Sequence, residues 1–430
     1  MRPDISAAGA FAIAVWQFDG ATESRIESAV HSGGGWSSPV NVTDPGEESE
    51  YFPRVAANAK GEAVAVWQHC YTGEIIPCFE NKGKYVVKAS VRRGGTWTMP
   101  VTVSSGTENA VKLQTAIDAN GNAVVVWEDS EPVALDIHAA KLPNPGTTWT
   151  ADMLSEPARE AGEPQVAFDG AGNATAIWHS HTSMSNYRVE SSVLPAAMTE
   201  WPAPQTVYAP TGSFDAFEPQ IAVDSAGGAV AIWRLQGPSG DTVQSSVRSG
   251  STWSAPVNVS AGGQEVREPG LAIDPLGDAV AAWRRSNGSN KIVQGAELAP
   301  GGSWTAPEDL SAVGQDAVEP DVAIDGKGNA VVVWRTDGAN KVAQASSLFA
   351  LRLQSLSIPT TGTAGTPVSF SVSPLDIWSG VTTSWNFGDG ATGSGTAPSH
   401  TYAKAGSYTV TVTGTDALGN AASASGTITV

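Results

Sequence analysis

Cysteine is almost absent. Of the 430 residues only Cys70 and Cys78 carry a thiol, and they bracket the short segment YTGEIIP inside an insertion. Such a pair either staples one loop in an oxidising compartment or remains as two free thiols in a reducing one; the extracellular character of the rest favours the disulfide. Positive charge is also scarce: 24 Lys and Arg stand against 43 Asp and Glu, for a net charge of −19. That balance disfavours phosphate backbones and anionic membrane surfaces, so no nucleic-acid partner is expected. There is no apolar run of about 18 residues, hence no membrane-spanning helix. The start, MRPDISAAGAFAIAVW, lacks the basic segment, separate apolar segment and cleavage site of an export signal. G-x-S-x-G, H-E-x-x-H, P-loop and Rossmann fingerprints are missing as well, and no cofactor is expected.

What is plentiful is turn and strand material. Gly (46) and Pro (27) are abundant while charged residues make up only 16%, a composition suited to many short strands joined by turns. One phrase returns seven times: AFAIAVWQ, GEAVAVWQ, GNAVVVWE, GNATAIWH, GGAVAIWR, GDAVAAWR and GNAVVVWR, with tryptophans at Trp16, Trp67, Trp127, Trp178, Trp233, Trp283 and Trp334. Their spacing of about 50–60 residues is the period of a propeller or another array. Within each repeat an apolar run, a Gly/Asn/Asp turn, a Trp-ending run and a further turn and run spell a three-stranded meander. A second tryptophan (Trp36, Trp97, Trp149, Trp201, Trp253 or Trp304) announces a fourth strand in six repeats. Four strands in about 50 residues is a propeller blade. Immunoglobulin-like modules need about 100 residues each and β-helix coils fewer than this period.

The strand pair resembles the P-x-x-VAVD-x-x-GN unit of NHL-type propellers and the BNR or sialidase-like repeats. That resemblance spans residues 1–348 and implies architecture only. After Trp334 the fourth-strand tryptophan does not arrive, so the seventh blade is expected to lack one strand. Because Met1 sits almost on the first strand, the expectation is that an N-terminal closing strand and an export signal have been lost by truncation. From Leu351 a different signature begins: SWNFGDG (384–390), SHTY (399–402) and GSYTVTVTGTDALGNAAS (406–423). These phrases resemble the PKD family, with Asn386 where that family commonly has Asp. The alternation in YTVTVTGT independently reads as sandwich strand. The expected fold is therefore all-β, a seven-bladed β-propeller over 1–348 followed by an immunoglobulin-like PKD β-sandwich over 349–430. The PKD resemblance implies an extracellular or cell-surface location, as a spacer or attachment unit.

Candidate chemistry gathers at one rim. If the first strand of each repeat is innermost, its start and the end of the Trp strand share that rim. Four first strands begin with Glu-Pro: Glu163, Glu218, Glu268 and Glu319. The residues after Trp in the last four repeats are His179, Arg234, Arg284 and Arg335. Carboxylates and guanidiniums around a channel mouth suit a polar ligand such as a sugar. Because the residues recur with the repeat, they equally suit salt bridging between neighbouring strands. Asp118, Asp169, Asp224, Asp274 and Asp325 open D-x-x-G-N turns and read as Asx caps rather than calcium ligands, since each turn supplies one carboxylate where calcium needs six to eight oxygens. His179 and His181 share a strand face but have no metal-ligand partner nearby in sequence, and no metal site is expected. The Ser-x-Asp boxes of true sialidases are absent.

Three functions remain open: a non-catalytic surface protein binding a glycan or protein at the propeller rim; a glycan-active hydrolase or lyase with acids in rim loops such as 46–50 and 158–163; and a purely structural domain of a longer envelope protein. The first is preferred, as a monomer with no assigned catalytic residue.

Overall fold

A computed structural model describes residues 3–20, 24–44, 50–71, 84–106, 109–130, 135–157, 159–182, 186–286, 288–325, 329–338, 341–347, 352–375, 381–415 and 421–430. All regular structure among them is β-strand. The chain divides into two compact units, Met1–Gly326 with Val333–Gln344, and Lys327–Val332 with Ala345–Val430.

The repeats become antiparallel sheets in chain order. Repeat four shows the plan: Glu160–Phe168, Ala174–His181, Arg188–Leu194 and Gln205–Tyr208, each hydrogen-bonded to the next. Repeats one, three and six have the same four strands, and repeats two and five add a short fifth. The seventh sheet comprises three described strands, Ala317–Ile324, Ala330–Thr336 and Ala343–Ser347. The fold is propeller-like.

Each Trp strand is apolar on both faces because both are covered. Trp67, Trp127, Trp178, Trp233 and Trp283 are fully buried. Each packs against the preceding repeat: Trp67 on Ile13 and Val15, Trp127 on Val64 and Val66, Trp178 on Val124 and Val126, Trp233 on Ile177, Trp283 on Val230 and Ile232. The second tryptophans add directional links, the Trp97 and Trp253 indole N–H groups donating to Ser28 and Ser191 of the preceding repeat at 2.9 and 3.1 Å. A tryptophan at a fixed strand position is thus the mortar between sheets.

The aspartate turns are Asx caps, as their spacing implies. The Asp118 carboxylate accepts from the Asn120 and Asn122 N–H groups, both at 2.8 Å, and Asp169, Asp224 and Asp274 do the same in their own turns. Asn58 serves repeat two. The turn after Asp325 lies outside the described residues.

The C-terminal unit has its own core: Val368, Phe370, Val372, Trp385, Phe387, Tyr402, Val410, Val412 and Ile428. Thr392–Ser394, Thr382–Asn386, Ser407–Thr415 and Ala421–Thr429 form one sheet; Arg352–Ser357 pairs with Ser371–Leu375, and Pro367–Ser369 with Ser399–Thr401. Asn386 replaces the usual Asp without loss of the turn, since its side-chain oxygen accepts from the Gly388 N–H at 2.9 Å. Gly388 has φ +82°, and a Cβ there would stand 2.6 Å from the Thr409 carbonyl, so only glycine fits. His400 stacks on Phe387 and pairs with Asp389 at 2.7 Å. Tyr402, fully buried, donates to the Phe387 carbonyl, and burial pushes its hydroxyl up to about 12.

Cys70 is disulfide-bonded; Cys78 lies outside the described residues, as does most of the acidic stretch 46–50.

Candidate functional site

The strand pairing puts the predicted rim residues side by side. Phe217 opposes Arg234, Arg267 opposes Arg284, and Gly162 opposes His179. Immediately after each of these first-strand residues the register slips, and the extra residue of the bulge is the glutamate. Glu163, Glu218, Glu268 and Glu319 have φ of 57°, 53°, 58° and 55°. Non-glycine residues rarely adopt this left-handed region, which costs about 1–3 kcal/mol each and persists only where surrounding bonds demand it.

Those bonds run from one repeat to the next. The bulge frees the backbone N–H of each glutamate from its own ladder and turns it toward the preceding repeat. Glu163 N–H donates to the Glu128 carboxylate at 3.1 Å, Glu218 to Glu163 at 2.7 Å, Glu268 to Glu218 at 2.8 Å, and Glu319 to Glu268 at 2.7 Å. Each carboxylate also holds the residue after Trp in its own repeat: Glu163 with His179 (3.1 Å), Glu218 with Arg234 (3.0 Å), Glu268 with Arg284 (3.4 Å) and Glu319 with Arg335 (3.1 Å). The structure therefore brings all eight predicted residues together as a relay. One side chain ties its own two inner strands and receives the next repeat. Charge-assisted bonds of this kind contribute about 1.5–3 kcal/mol where water is excluded.

The relay has an irregular sector at repeats two to five. Phe52 and Lys112 occupy the bulge position of repeats two and three, both with φ of 51°. Phe52 is 55% exposed, and the Lys112 ammonium lies 3.2 Å from Glu128 and 3.8 Å from Glu163. Gly162 lets Glu128 and His179 close in on the backbone, since a Cβ there would stand only 2.8 Å from Glu128 Oε2 and 2.9 Å from His179 Nε2. Tyr187 stacks over His181 and meets the edge of His179, with Phe217 alongside at 4.5 Å and Arg234 over the Phe217 ring. Burial raises the Tyr187 hydroxyl, helped by Glu160 and Asp215. His181 pairs with Glu160 at 3.4 Å. Phe52-Pro53 reads in register with the Glu-Pro pairs, so aligning the repeats by their prolines would have found it; Lys112 has no such marker.

Burial alone would push the Glu163 carboxyl up, but the His179 hydrogen bond and charge, the Lys112 ammonium and the Glu218 N–H together hold it down at about 2. An acid whose pKa is depressed on folding stabilises above its unfolded value and loses that contribution as pH falls through its folded one. Chemical denaturation of the wild type should therefore show stability lost between the ordinary value of 4.5 and about 2. Glu163→Gln should make that acid limb shallower.

The fold and rim define an all-β, propeller-like chain with a distinct C-terminal sandwich. Residues 353–430 match the PKD domain family. No curated protein matches the sequence. Among solved structures, a polysaccharide lyase of family PL25, an ulvan lyase, superposes with a TM-score of 0.50 at 10% identity, covering 77% of this chain and 89% of that one. An intramolecular trans-sialidase from Ruminococcus gnavus gives 0.43 at 11% identity, over 80% and 93%. An α-L-arabinofuranosidase from Fusarium graminearum gives 0.46 at 11%, over 70% and 93%. The likeness to the lyase is one of fold. No helix among the described residues is long and apolar enough to cross a membrane.

Proposed function

We propose that this is a non-catalytic extracellular or cell-surface binding protein, with residues 1–348 a propeller whose rim takes a glycan or protein and residues 349–430 a PKD-like spacer. The observation that carries this reading is the relay: the carboxylates of Glu163, Glu218 and Glu268 are already bonded to the next repeat, and all four repeated glutamates to their own Arg or His partners. A hydrolase needs acids free to exchange protons and to face a substrate. The irregular sector instead offers the mixture that glycan recognition uses, an exposed aromatic ring in Phe52, a half-exposed ammonium in Lys112, and the Tyr187–Phe217 pair beside hydrogen-bonding groups. The PKD match supports an extracellular setting.

One observation favours a second reading, a glycan-active hydrolase or lyase. Glu128, Glu163, His179 and Lys112 form an asymmetric cluster, and asymmetry is what catalysis requires of a repeat scaffold.

A glycan array on the full chain, paired with an assay for new reducing ends and unsaturated products, separates the two. Binding without turnover is the expected outcome, weakened by about tenfold, roughly 1.4 kcal/mol, in a Phe52→Ala/Lys112→Ala variant. Turnover abolished by His179→Ala would replace the binding reading with the enzymatic one. Binding untouched by the double variant would remove the rim from the account.

A further inference from the structure

Among the described residues the seventh sheet stops one strand short, at Ala343–Ser347. Its register is set by the Thr336 N–H, which donates to the Val342 carbonyl at 2.9 Å. Antiparallel strands bond to each other through alternate residues, so Ala343, Ala345 and Ser347 turn their N–H and C=O groups away from the Trp strand. In the sister sheets a fourth strand takes that side. Val87 of repeat two, which opposes the residue after Trp as Ala343 does, shows how: its carbonyl accepts the Val103 N–H at 2.8 Å, and its own N–H donates to Ser104 Oγ at 2.9 Å. The same two bonds recur at Val243 with Val259 and Ser260, and at Val293 with Leu310 and Ser311.

The side chains on that side are open as well. Ile26, Val87, Ile137, Val189, Val243 and Val293, which hold the place of Ala343 in the other repeats, are fully buried, whereas Ala343 is exposed. The residue before Trp is 0% exposed in six repeats (Val15, Val66, Val126, Ile177, Ile232, Ala282) and 43% exposed at Val333. Repeat one shows the matching surface. Ile5 is 60% exposed where its counterparts Val55 and Ile221 are 6% and 9%, and Trp16 is only half-buried while Trp67 through Trp283 are fully buried. Burial raises the Asp4 carboxyl and the Asp321 carboxylate of repeat seven adds to it, so the first strands of these two repeats are neighbours. In the sister repeats an apolar residue of the fourth strand, Val42, Val103 or Val259, packs in one cluster with the next repeat's tryptophan. The edge is unguarded, too. Five sister fourth strands are preceded by proline (Pro39, Pro100, Pro204, Pro256, Pro307), which blunts an outer edge, whereas the five residues AQASS carry neither proline nor charge.

We propose that this edge is a docking site for an extended segment of another protein, added antiparallel to Ala343–Ser347 as the missing fourth strand. Strand addition draws its affinity from main-chain bonds and its selectivity from alternate side chains. The sister strands state the chemistry that fits: Val-x-Val-Ser, with the second valine turned toward the apolar surface of Val333 and Trp16 and the serine oxygen accepting the Ala343 N–H. A charge at that valine position would be buried without a partner. A second copy of this chain does not supply the segment, because its own fourth strands are paired within its own sheets. The inference goes beyond the rim reading and does not depend on it.

The probe is a fluorescently labelled peptide, STWSAPVNVSA, residues 251–261 of this chain, mixed with the full chain and followed by anisotropy and amide hydrogen exchange. It should bind and bring protection to the amides of residues 343, 345 and 347. Val259→Asp in the peptide, at the position buried in repeat five, should weaken binding about tenfold or more, and Val257→Asp, at the position 52% exposed there, should change it little. In the chain, Ala345→Pro removes one outward N–H and Ala343→Asp sets a charge beside the apolar surface; both positions are exposed, so both variants should fold, and each should cost about tenfold in affinity. The Phe52→Ala/Lys112→Ala variant should bind the peptide like wild type. No binding, equal binding of the Val259→Asp peptide, or binding untouched by both chain variants overturns the proposal. Protection of those three amides before any peptide is added overturns it too, since the edge is then already paired within the chain or between copies.

Discussion

Replacing Trp233 with alanine is expected to lower the free energy of unfolding by about 3–5 kcal/mol, the cost of emptying a large aromatic site in a packed core. The side chain is fully buried, stacks on Tyr208, and seats against Ile177 of the preceding repeat as well as Ala229 and Ala231 of its own. Because it is shared by two sheets, the cavity weakens both, and repeats four and five should loosen together. Urea denaturation followed by circular dichroism measures the change, and Trp233→Phe, which keeps most of the volume, should recover more than half of the loss. A substitution that cost under about 1 kcal/mol would mean that the tryptophans do not join the sheets, since surface changes fall in that range.

Glu218→Ala is expected to cost about 2–3 kcal/mol, for a different reason. Removing one partner of a largely buried ion pair exposes the remaining partner's desolvation cost. Here the loss strands the side chain of Arg234, 9% exposed and held otherwise, among the described residues, by Gln236, Asp241 and the face of Phe217, and removes the acceptor of the Glu268 N–H in the next repeat. Glu218→Gln keeps an oxygen for that N–H and should cost less than half as much. The pair of variants separates the hydrogen bond between repeats from the charge within one.

Much of this was legible in the chain because a repeat repeats its contacts. A tryptophan at one strand position meets the same neighbour each time, so Trp67 through Trp283 could be read as packing before any coordinates. The D-x-x-G-N turns cap themselves through local bonds that span at most four residues, and the PKD-like core of Trp385, Phe387 and Tyr402 follows from its ordered phrases. Strand direction alone also put each of Glu163, Glu218, Glu268 and Glu319 beside the residue after Trp in its own repeat. What sequence did not show is the second half of each glutamate's bonding. The link from Glu218 N–H to Glu163 crosses 55 residues and depends on a left-handed φ, which a glutamate does not advertise and a following proline ordinarily disfavours. Lys112 at the bulge was hidden for the same reason.

The relay itself is tested most directly by amide hydrogen exchange in the Glu218→Ala variant. The account predicts that protection falls at the Glu268 amide, one repeat downstream, while the amide of residue 218 stays protected by Glu163. Equal protection at position 268 in variant and wild type, or a loss centred on position 218, would contradict it.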